Sequence, residues 1–323
     1  MTRRAEANHP PQIPTQTPTQ APQPDAPPHS LVGLVAEVER ALTAAGVAFG
    51  HGTLNAHDEA AWLTLHALNL PLDTDPGAYS DPIAPAQRAR VQTLLRERIA
   101  TRKPLAYLTR QAWLQGVPFY IDERAIVPRS LIAELIADGG IDPWLSAQTR
   151  RVLDLCTGNG SLACLAALAW PEVEVTGADI SAEALQVARI NVDRHGLQHR
   201  VRLVQSDGLA ACGGPWDLIV CNPPYVNAAS MAALPPEYRA EPALALAGGA
   251  DGMDFIRALL RDLRDPRTQT PALSSHGVLV LEIGHEREHF AGAFPGLPVN
   301  ELPTSAGDDQ VLLITADALT FSD

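Results

Sequence analysis

The sequence predicts an α/β fold built on a mostly parallel sheet, preceded by a small helical domain. Three observations carry this prediction. Beyond Arg150, short β-branched apolar runs alternate with longer segments of helical period, which is typical of a parallel sheet with helices on both faces. Residues 31–103 show apolar side chains at helical spacing only. Between these regions, Gln115-Gly116 separates two short extended runs, which indicates a β-hairpin connector.

The first 29 residues are predicted to be a disordered tail. They are rich in Pro, Gln, Thr and Ala and hold almost no large apolar side chain, so burial cannot offset the entropy lost on ordering. The segment also lacks the apolar centre of a signal peptide. Since the four cysteines form no CxxC pair, we expect free thiols and a cytoplasmic protein.

The helical domain is predicted over residues 30–103. Its first helix has an N-cap in Ser30, a stop at Gly46, and apolar side chains at positions 31, 34, 35, 38 and 42. Two further helices are predicted over residues 56–70 and 85–100. A hairpin linker over residues 104–128 then leads into the main domain, residues 129–323.

In the main domain, strands and helices alternate in order along the chain. The strands are predicted over residues 151–156, 173–179, 201–207, 218–221, 277–283 and 310–315, and the helices over residues 161–170, 181–195, 252–264 and 285–294. In open sheets of this kind, ligands bind at the carboxyl ends of the strands. Candidate site residues are therefore sought where each strand ends.

The first strand runs into a glycine-rich turn with the sequence D-L-C-T-G-N-G-S-L-A, which starts at Asp154. Gly158 and Gly160 permit a tight turn and a close approach of ligand to backbone. The G-x-G-x-x-A pattern fits either a nicotinamide dinucleotide or S-adenosylmethionine. Asp154 favours a ligand with an ammonium group, because its carboxylate would repel a pyrophosphate.

The next two strands also end on carboxylates. Asp179 follows Gly158 by about 21 residues, the spacing at which a carboxylate accepts the ribose hydroxyls of either cofactor. Asp207 ends the third strand, where it can accept from the adenine amino group. Acidic side chains at three successive strand ends are better explained by a nucleoside ligand than by coincidence.

The fourth strand ends in Asn222-Pro223-Pro224-Tyr225. Proline donates no ladder hydrogen bond and fixes its own φ, so the strand must stop here. The turn therefore holds a polar amide rigidly at the strand end, beside the predicted cofactor loop.

Together these motifs resemble the class I S-adenosylmethionine-dependent methyltransferases. In that family, Asn-Pro-Pro-Tyr marks enzymes that methylate an amide or amino nitrogen in a planar group. The resemblance implies that Asn222 and Pro223 accept the two N–H bonds of that group, while Pro224 keeps the turn rigid and Tyr225 packs on the flat substrate. The cofactor residues that it implies are Asp154, Thr157, Gly158, Asn159, Gly160, Asp179, Asp207 and Asn222.

The flanking segments resemble protein glutamine methyltransferases. Residues 107–113, 118–136 and 234–254 are similar to the branch that modifies large-subunit ribosomal protein three. This resemblance implies a basic protein substrate, with the helical domain supplying a docking face. Leu131 departs from the Ser-Pro that is usual there, and is expected to alter how the linker lies beside the cofactor. Arg129 and Glu134 are either cofactor contacts or residues that order the linker.

The sequence alone leaves several other functions possible. A release-factor glutamine methyltransferase is the nearest alternative. An adenine amino methyltransferase would need to grip phosphates, which the net charge of −13 disfavours. A cofactor-binding scaffold without activity has no need of rigid amide acceptors, and a nicotinamide enzyme is disfavoured by Asp154. No run of about 18 apolar residues is present, so no membrane span is expected.

One further motif is typical of a different class of protein. His285-Glu286-Arg287-Glu288-His289 matches the H-E-x-x-H signature of zinc proteases. The motif directly follows a strand, however, and no third ligand is evident nearby. We therefore expect a solvated, charged helix and no metal.

Overall fold

The computed structural model describes residues 30–264 and 272–320. The predicted disordered tail, residues 1–29, lies outside the described residues. The described helices are α1 (Leu31–Ala44), α2 (Ala56–Leu68), α3 (Pro85–Thr101), α4 (Leu105–Thr109), α5 (Ile132–Ala137), α6 (Ser161–Ala169), α7 (Ala182–Arg194), α8 (Ala228–Ala233), α9 (Pro236–Arg239), α10 (Asp254–Arg264), α11 (Arg287–Ala293) and α12 (Ala316–Thr320). The described strands are β1 (Ala112–Leu114), β2 (Val117–Phe119), β3 (Arg151–Leu155), β4 (Glu174–Asp179), β5 (Val201–Gln205), β6 (Trp216–Cys221), β7 (Leu273–Glu282), β8 (Asn300–Glu301) and β9 (Val311–Thr315).

The helices that precede the sheet share an apolar core with the linker and with Ala184 and Val187 of α7. The Ser30 hydroxyl accepts from the backbone N–H of Gly33 and starts α1, as predicted. Asn55 caps α2 in the same way, and Asn69 ends that helix in a left-handed conformation. The apolar faces of α1, α2 and α3 meet in one cluster that contains Leu34, Leu63 and Val91.

The hairpin connector is confirmed. β1 pairs antiparallel with β2, with Leu114 opposite Val117. Gln115 and Gly116 both have positive φ, 50° and 73°, as a two-residue turn between right-twisted strands requires. The hairpin leads from the helical region into the sheet.

The main sheet has seven strands in the order β5-β4-β3-β6-β7-β9-β8. The five strands from β5 to β7 run parallel. β9 pairs antiparallel with β7, and β8 pairs antiparallel with β9 at the edge of the sheet. Apolar clusters cover both faces. The chain builds outward from β3 in one direction through β5 and then returns to place β6 on the other side of β3. The point at which strand order reverses therefore lies between β3 and β6, where this class of sheet binds ligands.

Strand and helix boundaries depart from the predicted ones where local pattern is weakest. β6 starts at Trp216 and β7 at Leu273, both earlier than predicted, while β5 ends at Gln205 rather than residue 207. Short elements such as α8, α9 and the two-residue β8 were not predicted, because they are too short to show a periodicity. Within the described residues, no helix is long and apolar enough to cross a membrane.

A buried charge cluster joins the helical region to the main domain. Arg98, on α3, has no exposed surface. Its Nε donates to Glu59 at 2.7 Å, its Nη1 contacts Glu237 of α9 at 3.4 Å, and its Nη2 donates to the carbonyl of Ala48. Arg102 reaches the same Glu237 carboxylate at 2.9 Å. The segment that follows the Asn-Pro-Pro-Tyr turn is thus held by ion pairs to α3.

Candidate active site

The site residues meet because β3 and β6 are neighbours. Leu155 pairs with Cys221 in the parallel ladder, so the segments that leave these strands run side by side. One is the glycine-rich loop from Cys156 to Gly160. The other is the turn from Asn222 to Tyr225. The structure therefore brings together the two motifs that the sequence singled out.

The two glycines of the loop have different tasks. Both have positive φ, 55° at Gly158 and 78° at Gly160. A Cβ at Gly160 would lie 2.9 Å from the Cβ of Ala188 on α7, so this glycine permits close packing. A Cβ at Gly158 would meet no atom closer than 4.0 Å. Gly158 therefore faces open space, where a ligand can approach the backbone.

The Asp154 side chain lies beneath the glycine-rich loop and fixes its conformation through hydrogen bonds. One carboxylate oxygen, Oδ2, accepts from the Thr157 hydroxyl and from the Ala163 N–H. The other, Oδ1, is enclosed and has no hydrogen-bond partner among the described residues. Burial raises the pKa of Asp154 to about 7. Because the side chain is 0% exposed, direct contact between Asp154 and a ligand stays a prediction.

Asp179 stands at the end of β4, across from the loop. Its Oδ2 accepts from the Gly158 N–H at 2.9 Å and its Oδ1 from the Ser181 N–H at 2.8 Å. Each oxygen keeps a lone pair for a further donor such as a ribose hydroxyl. Burial raises the pKa of Asp179. The backbone thus fixes the orientation of this carboxylate before any ligand binds.

Two other predicted cofactor residues differ in how firmly they are held. Asp207 lies two residues beyond the end of β5 with an exposed side chain. Asn159 is buried, and its Oδ1 accepts from the Ser161 N–H. The Asn159 carbonyl accepts from Asn191 of α7, whose amide also bonds both backbone groups of Tyr120. Asn191, which the sequence analysis missed, ties the cofactor loop to the linker.

Asn222 directly follows β6 and is half-buried. In the part of the chain that the structure describes, its side-chain amide makes no hydrogen bond. The Pro223 carbonyl likewise accepts no backbone hydrogen bond within these residues. Two adjacent acceptors are thus held at a strand end with their lone pairs free. That is what a group with two N–H bonds requires.

Tyr225, by contrast, is held on several sides. Its hydroxyl donates to Glu282 Oε1 at 3.1 Å. A Cβ at Gly284 would lie 2.6 Å from Cε2 of its ring. Burial and the neighbouring Glu282 raise the pKa of Tyr225 well above its usual value, so the phenol stays neutral and acts as a donor.

Arg129 holds the linker against the segment that follows the Asn-Pro-Pro-Tyr turn. Its guanidinium makes a two-pronged ion pair with Glu241, with both N–O distances at 2.7 Å. Burial opposes ionisation of Glu241, but Arg129 and the His51 side chain, 3.4 Å away, lower its pKa to about 2. Glu134 also serves the fold, because it accepts from the backbone and hydroxyl of Ser305.

The H-E-x-x-H segment has another structural role. α11 begins at Arg287, so His285 lies before the helix and Glu286 occupies its N-cap position. The Glu286 carboxylate accepts from Asn227 at 2.7 Å and bonds His289. Among residues 30–264 and 272–320, no group of three or more His, Cys, Asp or Glu is arranged to hold a metal ion.

Gly284→Ala is expected to slow turnover about tenfold or more, because even a displacement of about 1 Å in a positioned group is costly. The added methyl overlaps the Tyr225 ring, while ligand binding at the glycine-rich loop should be unchanged. Gly296→Ala is the matched control: it has a similar positive φ, 81°, but no atom within 4 Å of the added Cβ. Steady-state kinetics of the two variants distinguish the effect of displacing the Tyr225 ring from the effect of straining the backbone. Equal losses in both would contradict this reading of Gly284.

This chain is similar in sequence to known proteins over most of its length. Residues 141–234 match the family model described as the methyltransferase small domain. A ribosomal protein uL3 glutamine methyltransferase from Bordetella pertussis is 52% identical over 282 residues, covering 86% of this chain and 92% of the relative. Proteins of the same name from Burkholderia pseudomallei and Neisseria meningitidis are 48% and 46% identical, covering 88% and 85% of this chain and 94% and 89% of the relatives.

Among solved structures, the catalytic domain of hMettl16 in complex with a MAT2A 3′UTR hairpin superposes with a TM-score of 0.49 at 14% identity. That match covers 75% of this chain and 84% of the other.

Proposed function

The chain belongs to the family of ribosomal protein uL3 glutamine methyltransferases, and on that premise we propose that its substrate is a glutamine side chain of ribosomal protein uL3. The reaction transfers a methyl group from S-adenosylmethionine to the side-chain amide nitrogen. The observation that carries this assignment is the pair of free acceptors, Asn222 and the Pro223 carbonyl, beside the glycine-rich loop. An amide NH₂ has two N–H bonds to match them.

The residues around the loop fit the methyl donor. Gly158 leaves open space at the backbone, and Asp179 keeps lone pairs for the ribose hydroxyls. Asp154 places a buried carboxyl group beneath the loop, with one unpaired oxygen. Thr157, Asn159, Gly160, Asp207 and Asn222 complete the proposed cofactor site. When bound, S-adenosylmethionine supplies an electrophilic methyl on a positively charged sulfur.

Catalysis by this chain is then chiefly a matter of positioning. An amide nitrogen is a poor nucleophile because its lone pair is delocalised. Asn222 Oδ1 and the Pro223 carbonyl orient this nitrogen, and they stabilise the positive charge that grows on it during transfer. Pro223 and Pro224 keep the acceptors from relaxing, and Tyr225 packs against the flat amide. No base is needed, because the methylated nitrogen is acidic and releases its proton afterwards.

The remaining parts of the proposal concern the substrate protein. The net charge of −13 suits a basic partner, since complementary charge speeds association. We assign substrate docking to the helical domain over residues 30–103, which the Arg98 cluster fixes against the main domain. Residues 104–128 form the linker and residues 129–323 the methyltransferase domain. A cytoplasmic location and the lack of any sequence preference for nucleic acid belong to the same proposal.

A transfer assay with labelled S-adenosylmethionine tests this function. Purified uL3, a release factor, DNA and RNA are offered separately to the full chain. We expect label in uL3 alone. Label in the release factor or in nucleic acid would assign the enzyme to one of those substrates instead.

Binding of S-adenosylmethionine is expected to weaken as the pH falls below about 7. Burial, with a smaller contribution from the nearby Asp179, raises the pKa of Asp154 to about 7. A cationic ligand favours the ionised carboxylate, so in acid the ligand must first displace a proton. Affinity should therefore fall by up to about tenfold per pH unit well below that pKa. Titration calorimetry from about pH 5 to 6.5 measures this change more than a pH unit below the pKa of about 7.7–8.0 at which the ligand's own amino group titrates.

Asp154→Asn should bind more weakly and lose most of this pH dependence. Glu174→Gln, which changes an exposed carboxyl at the opposite end of β4 from Asp179, should behave as the unmodified protein does. If Asp154→Asn retains the full dependence on pH, Asp154 is not the group responsible.

A further inference from the structure

Glu282 is a buried carboxylate that the proposed mechanism does not use. It is the last residue of β7, and its neighbour Leu281 pairs with Cys221. Glu282 therefore lies level with Asn222, on the side of β6 away from the glycine-rich loop. Only 3% of its surface is exposed. A charge in such a position is costly unless several donors satisfy it.

Both oxygens of Glu282 are in use, and they bind different parts of the chain. Oε1 accepts from the Tyr225 hydroxyl at 3.1 Å. Oε2 accepts from the Ser130 hydroxyl at 2.5 Å and from the Leu131 N–H at 3.0 Å. No ion pair to Glu282 occurs within the described ranges. The carboxylate thus bridges the end of the linker and the catalytic turn through hydrogen bonds.

The Leu131 bond has a consequence for this chain in particular. Proline has no N–H, so a proline at position 131 would leave Oε2 with one donor fewer. Leu131, which stands where the resembling proteins usually have proline, therefore gives Glu282 a further donor from the linker. This bond helps to keep the carboxylate fixed while Oε1 faces the phenol.

We propose that Glu282 is a positioning residue that holds the Tyr225 ring at the angle needed to pack on the substrate amide. The inference rests on the proposed function. Two contacts define the ring: Gly284 packs against its edge, and Glu282 anchors its hydroxyl. Without the anchor, the ring turns about its side-chain bonds and the amide loses its flat support. Glu282 itself does not touch the substrate.

The charge states agree with this role. Burial raises the pKa of Glu282, and its hydrogen bonds with Ser130 and Tyr225 oppose that rise. The pKa of Tyr225 is raised as well, by burial and by Glu282. The Tyr225 phenol therefore stays protonated and donates to Glu282 Oε1.

A double-mutant cycle tests the proposal. The full chain, Glu282→Gln, Tyr225→Phe and the double variant are compared for kcat on uL3 at saturating S-adenosylmethionine. We expect each single variant to lose about tenfold or more in kcat, and the double variant to lose no more than the worse single variant, because coupled residues are not additive. Affinity for S-adenosylmethionine should stay within about twofold, since the loop is untouched. Glu301→Gln, an exposed carboxyl on β8, is the control.

Several outcomes would overturn the proposal. One is an unchanged kcat in Glu282→Gln, and another is losses that multiply in the double variant. If Glu282→Gln does not fold, Tyr225→Phe decides alone: a normal kcat there means that the hydroxyl anchor is irrelevant.

A second measurement needs no substrate protein and so separates this proposal from the proposed function. The chain has five tyrosines, and fluorotyrosine labelling gives each of them an NMR signal, with that of Tyr225 identified by its loss in Tyr225→Phe. Glu282→Gln should shift this signal. An unchanged signal overturns the role of Glu282, whereas a shifted signal together with an inactive full chain counts only against the assigned substrate.

Discussion

Asn222→Ala is expected to reduce methyl transfer about 10²–10³-fold, which corresponds to the loss of about 3–4 kcal/mol of transition-state stabilisation by one preorganised group. The side-chain oxygen of Asn222 is one of the two acceptors that orient the substrate nitrogen. Alanine removes this acceptor but leaves the turn, because both prolines remain. Affinity for S-adenosylmethionine should change far less than the rate, because Asn222 is one of several residues in the proposed cofactor site and Asp179 and the glycine-rich loop are intact. Single-turnover transfer and calorimetry measure the two effects separately.

Two further variants sharpen this test. Asn222→Gln keeps an amide but lengthens the side chain, so it should also lose most of the rate. Asn300→Ala removes an exposed asparagine on β8 and should have no effect. Normal turnover in Asn222→Ala would remove the proposed mechanism.

Arg98→Met is expected to lower the free energy of unfolding by about 3–5 kcal/mol, the usual cost of leaving a buried charge without its partner. The variant would strand Glu59, with only 2% of its surface exposed, and weaken the hold on Glu237, with none exposed. Burial already raises the pKa of Glu59, and loss of the Arg98 charge would raise it further. Denaturant unfolding monitored by circular dichroism measures the change.

The control for this variant lies on the same helix. Arg96 is exposed, and among the residues that the structure describes it bonds only Thr93, so Arg96→Met should change stability by less than about 0.5 kcal/mol. Adding Glu59→Gln and Glu237→Gln to Arg98→Met should recover part of the loss, because the stranded charges are then gone. Equal stability of Arg98→Met and the unmodified protein would show that the cluster does not hold α3 to α9.

Much of the site could be predicted because its residues follow strands in the chain. Asp154, Asp179 and Asn222 each stand at or directly after a strand, and a parallel sheet brings such ends to one edge. The alternation of strands and helices made that sheet predictable, and the two prolines made the rigidity of the Asn222 turn predictable. These inferences need only local pattern and one topological rule.

The supporting contacts could not be predicted, because they join residues far apart in the chain. Ser130 and Glu282 are 152 positions apart, Arg98 and Glu237 are 139 apart, and each was outside any local pattern. No spacing rule pairs such residues in a single sequence. Only the fold shows that Arg129 bonds Glu241.

Asp154 shows a different limit of prediction from the sequence. Its spacing from the glycines suggested a side chain that faces a ligand. In the structure this carboxylate lies beneath the loop, and its Oδ2 holds Thr157 and Ala163 in place. A residue type at a given spacing therefore predicted that Asp154 belongs with the glycine-rich loop. It did not predict whether the side chain shapes the loop or meets the ligand.

The central claim is that this chain methylates a glutamine of uL3, and mass spectrometry of ribosomal proteins tests it most directly. Ribosomal proteins and release factors are compared between cells that contain this protein, cells that lack it, and cells that carry only Asn222→Ala. We predict that uL3 lacks one methyl group on a single glutamine in the last two cases, while the release factors are unchanged. A fully methylated uL3 in cells that lack the protein would contradict the claim.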